Sequence, residues 1–288
     1  MDKKLKGKHQ HNSCEISVII PSYHPQEYLK KCLVSLSRQS FKSTIEVIIV
    51  LNGEKEPYYS QIMSWKDGPL REVPLHIIHT EKKGVSNARN LGINDSHGKY
   101  IVFIDDDDYV SNVFLERLFE KIESTVDANI AQSNFKTNKY GEICNDYISH
   151  AYEKLINKRY SIFRFRKFLS SVCGKIYTKE VIGEARFKEN LKISEDSVFL
   201  FEISKNIRRI ALAEPDCVYF RSVRLGSAMR SHRPLRIILG NYVCKFKYYT
   251  NVYFSNPFKY SFLLYISRLL AISKVLFAEI KNNGSKRI

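Results

Sequence analysis

The chain has 288 residues, 44% of them hydrophobic and 26% charged, and a formal net charge of +16. That composition excludes fibrous and disordered classes, and the length fits one sizeable domain with an extension. The six cysteines are scattered and show no CxxC spacing, so they read as reduced thiols rather than as a disulfide framework.

Residues 1–14 are basic and polar. They read as a disordered lead and lack the apolar segment of a signal peptide. Residues 15–22, EISVIIPS, are an apolar run stopped by Pro21 and predict a buried strand. In the following QEYLKKCLVSLSRQ, Leu29, Cys32, Leu33 and Leu36 share one helical face. Residues 45–51 predict a second strand, ended by the turn signal Asn52-Gly53. Residues 74–80 predict a third strand, 85–95 a helix and 100–104 a fourth strand. This alternation predicts the α/β class, with a mainly parallel sheet flanked by helices.

In such sheets the ligand lies beyond the carboxyl ends of the strands. Three polar clusters fall there: Pro21-Ser22-Tyr23, Asn52-Gly53-Glu54, and the four carboxylates Asp105, Asp106, Asp107 and Asp108. Farther on, residues 113–122 predict an amphipathic helix, 128–135 a strand, 164–171 a helix and 171–177 a strand. Residues 194–206 predict a helix, and 209–221 two short strands. Residues 136–160 show no clear period.

Adjacent carboxylates at a strand end repel one another unless a cation offsets them. Hard oxygen ligands favour Mg²⁺ or Mn²⁺, held by one or two carboxylates together with substrate phosphates. The natural unit is the pair Asp105 and Asp107, which points to a metal-bound diphosphate; the other reading is a solvated acidic turn. An EF-hand fails because Val110 stands where glycine is required. A phosphohydrolase motif, with Asp106 as nucleophile, matches Asp106 to Val110 formally but has no visible partners.

The stretch KKGVSNARNLGINDSHGKYIVFIDDDD narrows the reading. With VIIPSYHP before it, and Gly174-Lys175-Ile176-Tyr177, Glu195-Asp196, and Tyr219, Arg221 and Ser227 after it, the chain resembles glycosyltransferase family 2 over residues 15–230. These are inverting transferases of the GT-A (Rossmann-like) fold, here of the bacterial surface-polysaccharide type. The resemblance implies a nucleotide-sugar site built from Pro21, Tyr23, Asn52, Arg89, Asp105 and Asp106. It also implies a Mn²⁺ or Mg²⁺ held by Asp107 and Asp105, and Asp196 as general base with Glu195 as the runner-up. The base could equally be an ordinary acidic first turn of a helix capped by Ser194. One departure stands out: Leu51-Asn52-Gly53-Glu54 replaces the family's Asp-Asp-Gly-Ser, which leaves a UDP-sugar favoured but the base identity open.

Of the net charge, +13 follows residue 203, where sixteen Lys and Arg face only Glu214, Asp216 and Glu279. Residues 258–280 are about as long as a membrane span, but Arg268 and Lys274 interrupt them. They fit an interfacial amphipathic helix with Lys and Arg on its rim, or a helix packed on the domain. Residues 231–288 thus form a basic, helical C-terminal extension. With the resemblance, it implies a saccharide acceptor, lipid-linked in type, and a cytoplasmic protein peripheral on the inner face of the plasma membrane. A nucleic-acid partner would leave the acidic clusters unexplained and is not expected.

Overall fold

The computed structural model describes residues 14–68, 70–156, 161–191, 193–223 and 234–284. β1 (Ile16–Ser22) is buried along its whole length, as its run of β-branched residues requires of a central parallel strand. α1 (Glu27–Ser37) returns across the sheet with Leu29, Cys32, Leu33 and Leu36 buried. β2 (Ile45–Asn52), α2 (Tyr58–Lys66), β3 (Leu75–Thr80), α3 (Val85–Asp95) and β4 (Tyr100–Phe103) follow. β4, β1, β2 and β3 are parallel neighbours in that order. The second half supplies β5 (Tyr109–Val110), α4 (Phe114–Ser124), β6 (Ala128–Gln132), β7 (Asn134–Lys139), β8 (Glu142–Cys144) and α5 (Tyr147–Leu155). It continues with β9 (Lys175–Thr178), α6 (Lys179–Ile182), α7 (Glu195–Ile203), β10 (Arg209–Leu212) and β11 (Val218–Val223). The main sheet runs β10-β6-β9-β4-β1-β2-β3, with β9 antiparallel to both neighbours. A smaller sheet runs β5-β11-β7-β8.

Residues 128–135 are two strands rather than one. The chain changes sheets at Ser133, whose N–H donates to the Gly174 carbonyl, while Asn134 N–H donates to Cys217 across the smaller sheet. The stretch without a clear period contains the β7-β8 hairpin and α5, which Asp146 starts with a capping box. The helix expected at 164–171 is a 3₁₀ helix, Arg164–Ser170. The strand expected from residue 171 begins only at Lys175, because Gly174 takes φ +68° and turns the chain.

The extension forms α8 (Leu235–Ser255) and α9 (Phe262–Gly284). The boundary expected at residue 230, and Ser227, lie outside the described residues. α8 buries Lys245 and Tyr249 against α7, where Lys245 Nζ donates to Ser194 Oγ at 3.4 Å and Tyr249 Oη to Ser197 Oγ at 2.8 Å. Ser194 precedes α7 in the left-handed region and makes no side-chain cap. Arg268 of α9 is not on a solvent rim: it is buried and donates to the Arg166 carbonyl at 2.7 Å. α9 therefore packs on the domain through Leu264, Tyr265 and Ile272 while exposing Leu263, Leu270 and Phe277. No helix among the described residues is long and apolar enough to cross a membrane.

Candidate functional site

The carboxyl ends of β1, β2 and β4 open into a cleft of about 630 Å³. Pro21, Tyr23, Asn52, Arg89, Asp105, Asp106, Asp107 and Glu195 all line it. The sheet thus gathers the expected donor-side residues at one edge. Asp196 is not among the lining residues; its carboxylate lies against Arg89 beside Glu195 and is about as exposed.

Tyr23 is exposed and stacks on His24 with ring centroids 3.9 Å apart. Gly53 lies under its edge at φ +113°, and a Cβ there would approach the Tyr23 ring to 2.8 Å. The position therefore needs glycine twice, for conformation and for space. Asn52 is only 3% exposed, and both ends of its amide are engaged: Nδ2 donates to the Ser22 carbonyl at 2.7 Å and Oδ1 accepts from Gly84 N–H at 3.0 Å. It ties the β1 end to the loop before α3 while lining the cleft. That loop also brings Lys83 and Gly84 to the wall.

Arg89 holds the site together. An arginine on a helix would ordinarily be read as a surface cation, yet Arg89 shares the face of buried Gly92 and Ile93 and is 2% exposed. Nη2 donates to Asp105 Oδ1 at 2.8 Å; Nη1 donates to Asp196 Oδ1 at 2.7 Å and to Glu195 Oε1 at 3.2 Å. Its carbon lies 5.3 Å from the Phe187 ring centroid. Burial disfavours its charge, but Asp196, Asp105 and Glu195 outweigh burial and keep the guanidinium firmly protonated. Burial, then the charge of Asp196, pushes the Glu195 carboxyl up to about 7, with Arg89 acting in the opposite sense. Asp196 has a second donor: Val172 N–H reaches its Oδ2 at 3.1 Å.

The four aspartates divide. Asp105 is shared with Arg89, and its N–H donates to Tyr219 Oη at 3.2 Å. Asp106 Oδ2 accepts from Ser22 Oγ at 2.7 Å. Asp107 lines the cleft. Asp108 is buried, accepting from Tyr219 Oη at 2.7 Å and from Ser222 N–H at 2.7 Å, so it pins β11. No cluster of three or more His, Cys, Asp or Glu among the described residues forms a closed metal cage. Two hard carboxylates on an open cleft fit Mg²⁺ or Mn²⁺ completed by phosphate oxygens.

Lys83, Phe187 and the Val172 N–H were missed from the sequence. Lys83 adjoins the GVSNARN segment and could have been read from it; a backbone N–H leaves no signature in a sequence.

The family model described as glycosyl transferase family 2 matches residues 17–179. The chain is similar to Glycosyltransferase GlyA of Streptococcus pneumoniae serotype 4, 29% identical over 192 residues that cover 63% of this chain and 27% of that protein. It is also similar to the uncharacterized glycosyltransferase EpsJ of Bacillus subtilis, 28% identical over 215 residues that cover 72% of this chain and 60% of that one. The chain thus spans 27% and 60% of the lengths of these two relatives. Among solved structures it resembles Staphylococcus aureus TarS 1–349 in complex with UDP-GlcNAc, with TM-score 0.69, 21% identity, and coverage of 83% of this chain and 66% of that chain. That likeness supports the fold, and the family displaces the phosphohydrolase reading of Asp106. The chain belongs to glycosyl transferase family 2, a family of transferases, and has the GT-A fold.

Proposed function

We propose that the chain transfers a sugar, with inversion, from a nucleoside-diphosphate sugar to a hydroxyl of a saccharide acceptor. One observation carries this reading: Arg89 joins Asp105, on the donor side of the cleft, to the Glu195-Asp196 pair. The donor is a UDP-sugar, with Tyr23 and Pro21 lining the base end and Asp105 and Asp106 near the ribose and diphosphate. UDP-GlcNAc, the ligand of the TarS complex, is the first donor to assay. Asp107 and Asp105 would hold Mn²⁺ or Mg²⁺, which when bound supplies charge neutralisation of the leaving diphosphate.

Asp196 takes the proton of the acceptor hydroxyl. Arg89 and the Val172 N–H each hold one oxygen of its carboxylate, which suits a base kept in one orientation. Glu195, raised to about 7, is the second choice. Asp196→Asn is expected to leave UDP binding within twofold and to lower transfer by about 10²–10⁴, the range of a lost general base. Retained transfer would remove Asp196 from this role. Absence of UDP binding by calorimetry, with Mn²⁺ or with EDTA, would overturn the donor assignment.

The acceptor is lipid-linked, and the protein works at the cytoplasmic face of the membrane. The exposed Leu239, Val243 and Phe246 of α8 and Leu263, Leu270 and Phe277 of α9 support this, with Arg236, Lys247 and Lys274 also exposed.

A further inference from the structure

The Gly174-Lys175-Ile176-Tyr177 segment takes no part in the cleft, yet its side chains are as buried as any in the protein: Lys175 and Tyr177 are both 0% exposed. They stand two apart on β9 and so share one face of the strand. Both reach back to the loop that precedes them. Lys175 Nζ donates to the Ser171 carbonyl at 2.5 Å and to the Cys173 carbonyl at 3.3 Å. Tyr177 Oη donates to the Val172 carbonyl at 2.8 Å. The next carbonyl, of Gly174, accepts from Ser133 N–H at 2.9 Å, Ser133 Oγ at 3.0 Å and Gln132 Nε2 at 3.1 Å. Gly174 itself sits at φ +68°, where a Cβ would come within 2.2 Å of Phe135. Four consecutive carbonyls are thereby held, and the loop can present its Val172 N–H in one direction only. That direction is Asp196 Oδ2, at 3.1 Å.

A buried ammonium is costly, and burial pushes Lys175 down to about 7. Among the described residues no carboxylate forms an ion pair with it, so its place is not explained by charge neutralisation. Backbone carbonyls are its partners, and a methionine of similar volume would fill the same space without that cost.

We propose that Lys175, assisted by Tyr177, is a positioning residue for Asp196: it shapes the 171–174 loop so that the Val172 N–H fixes the orientation of the carboxylate. The proposal rests on the reading of Asp196 as the base. Without the Val172 donor, Asp196 is held through Oδ1 by Arg89 alone, and its carboxylate can turn out of the orientation in which it meets an acceptor hydroxyl. Neither Val172 nor Lys175 lines the cleft, so the lining residues do not reveal the device.

The test uses Lys175→Met and Tyr177→Phe in the full chain, with hydrogen exchange and UDP release from UDP-GlcNAc, or from whichever nucleotide sugar a donor screen identifies. The Val172 amide is expected to exchange about tenfold faster or more in both variants, with amides of β4 and α7 within about twofold of the parent protein. Turnover should fall about tenfold or more with donor KM within about twofold, the signature of a lost alignment rather than of lost binding. Unchanged Val172 exchange overturns the proposal. So does acceleration throughout the main sheet, which would mark both residues as merely structural, and so does faster Val172 exchange with unchanged kcat. Asp196→Asn separates the two readings: full activity there removes the base assignment. If the parent protein releases UDP from no donor, the functional reading fails, and the exchange data alone still decide whether Lys175 holds the loop on Asp196.

Discussion

Replacing Arg89 with methionine removes one guanidinium from three carboxylates, held at 2.7, 2.8 and 3.2 Å. The Arg89 side chain is 3% exposed and those of Glu195 and Asp196 are 14% and 15%, so the cost falls on these two carboxylates, while Asp105, 39% exposed, can be hydrated. Breaking a buried ion pair by deleting one partner costs about 3–5 kcal/mol, because the other charge stays buried and unpaired. Here the remaining partners also repel one another. At 2–4 °C per kcal/mol for a domain of this size, the melting temperature at pH 8 should fall by about 10 °C. The deficit depends on pH, with a sign fixed by linkage. In the folded variant the stranded carboxyls hold protons to higher pH than in the unfolded chain, so stability is lost as pH rises. The gap between parent and variant is therefore largest at pH 8 and narrows toward pH 5. Arg89→Lys keeps the charge but not the fork and should fall between the two. Urea titrations at pH 5, 6.5 and 8 measure this. A loss below about 1 kcal/mol at pH 8, or one that does not change with pH, would refute the bridging role.

Glu195→Gln is expected to stabilise the protein at pH 8, by up to about 3 kcal/mol, because the parent carboxyl is raised from 4.5 to about 7 in the fold. A raised acid favours the fold below the unfolded value and loses that contribution as pH rises through the folded one, so the gain should vanish near pH 4.5. An equal gain at pH 4.5 and 8 would contradict it. Asp107→Asn should weaken UDP binding at least about tenfold with Mn²⁺ present, while parent and variant bind alike in EDTA; calorimetry with both additions reads the difference. Leu239→Glu with Phe246→Glu should reduce co-sedimentation with anionic vesicles and leave UDP binding intact, and unchanged sedimentation would count against the membrane reading. Surface substitutions suit this test better than truncation, because α8 also holds Ser194 and Ser197 beside the Glu195-Asp196 pair.

The strand ends and the acidic run were legible because period and punctuation are local properties. β1, β2 and β4 are near-continuous apolar runs, broken only by Ser17 and Glu46 near the strand starts, as befits central parallel strands, and each stops at polar residues. What was not legible depended on distant contacts. Arg89 and Glu195 are 106 positions apart, and the sequence near Arg89 does not say which carboxylates its guanidinium joins. Ser133 divides one apparent strand because Gly174 and Cys217, the carbonyls its N–H and the next one reach, lead into β9 and β11 of different sheets, a pairing only the assembled fold creates. Lys175 and Arg268 were hidden by the usual rule that cations face water. Both are buried with backbone carbonyls as acceptors, and such acceptors carry no residue-type signal. Asn52 reads as a cleft residue by position, but its bonds to the Ser22 carbonyl and the Gly84 N–H are to backbone groups and leave no residue-type signal.

The acidic run itself shows how a cationic chain tolerates four adjacent carboxylates. Asp108 withdraws into the interior, where burial, then the charges of Asp107 and Asp105, pushes its carboxyl well above the usual range. Its hydrogen bonds from Tyr219 and Ser222 pull the other way and keep β11 seated on the turn. Asp105 is neutralised in part by Arg89, and Asp106 is held by Ser22. The run therefore presents less negative charge to the cleft than its sequence suggests. Tyr219 links the two ends of the division, accepting from the Asp105 N–H while donating to Asp108. A carboxylate sunk in the core thus sets the backbone of the one at the cleft. Asp105 and Asp107 can then meet a cation as a pair instead of as members of a repelling row, which is the number of carboxylates that an ion completed by phosphate oxygens needs.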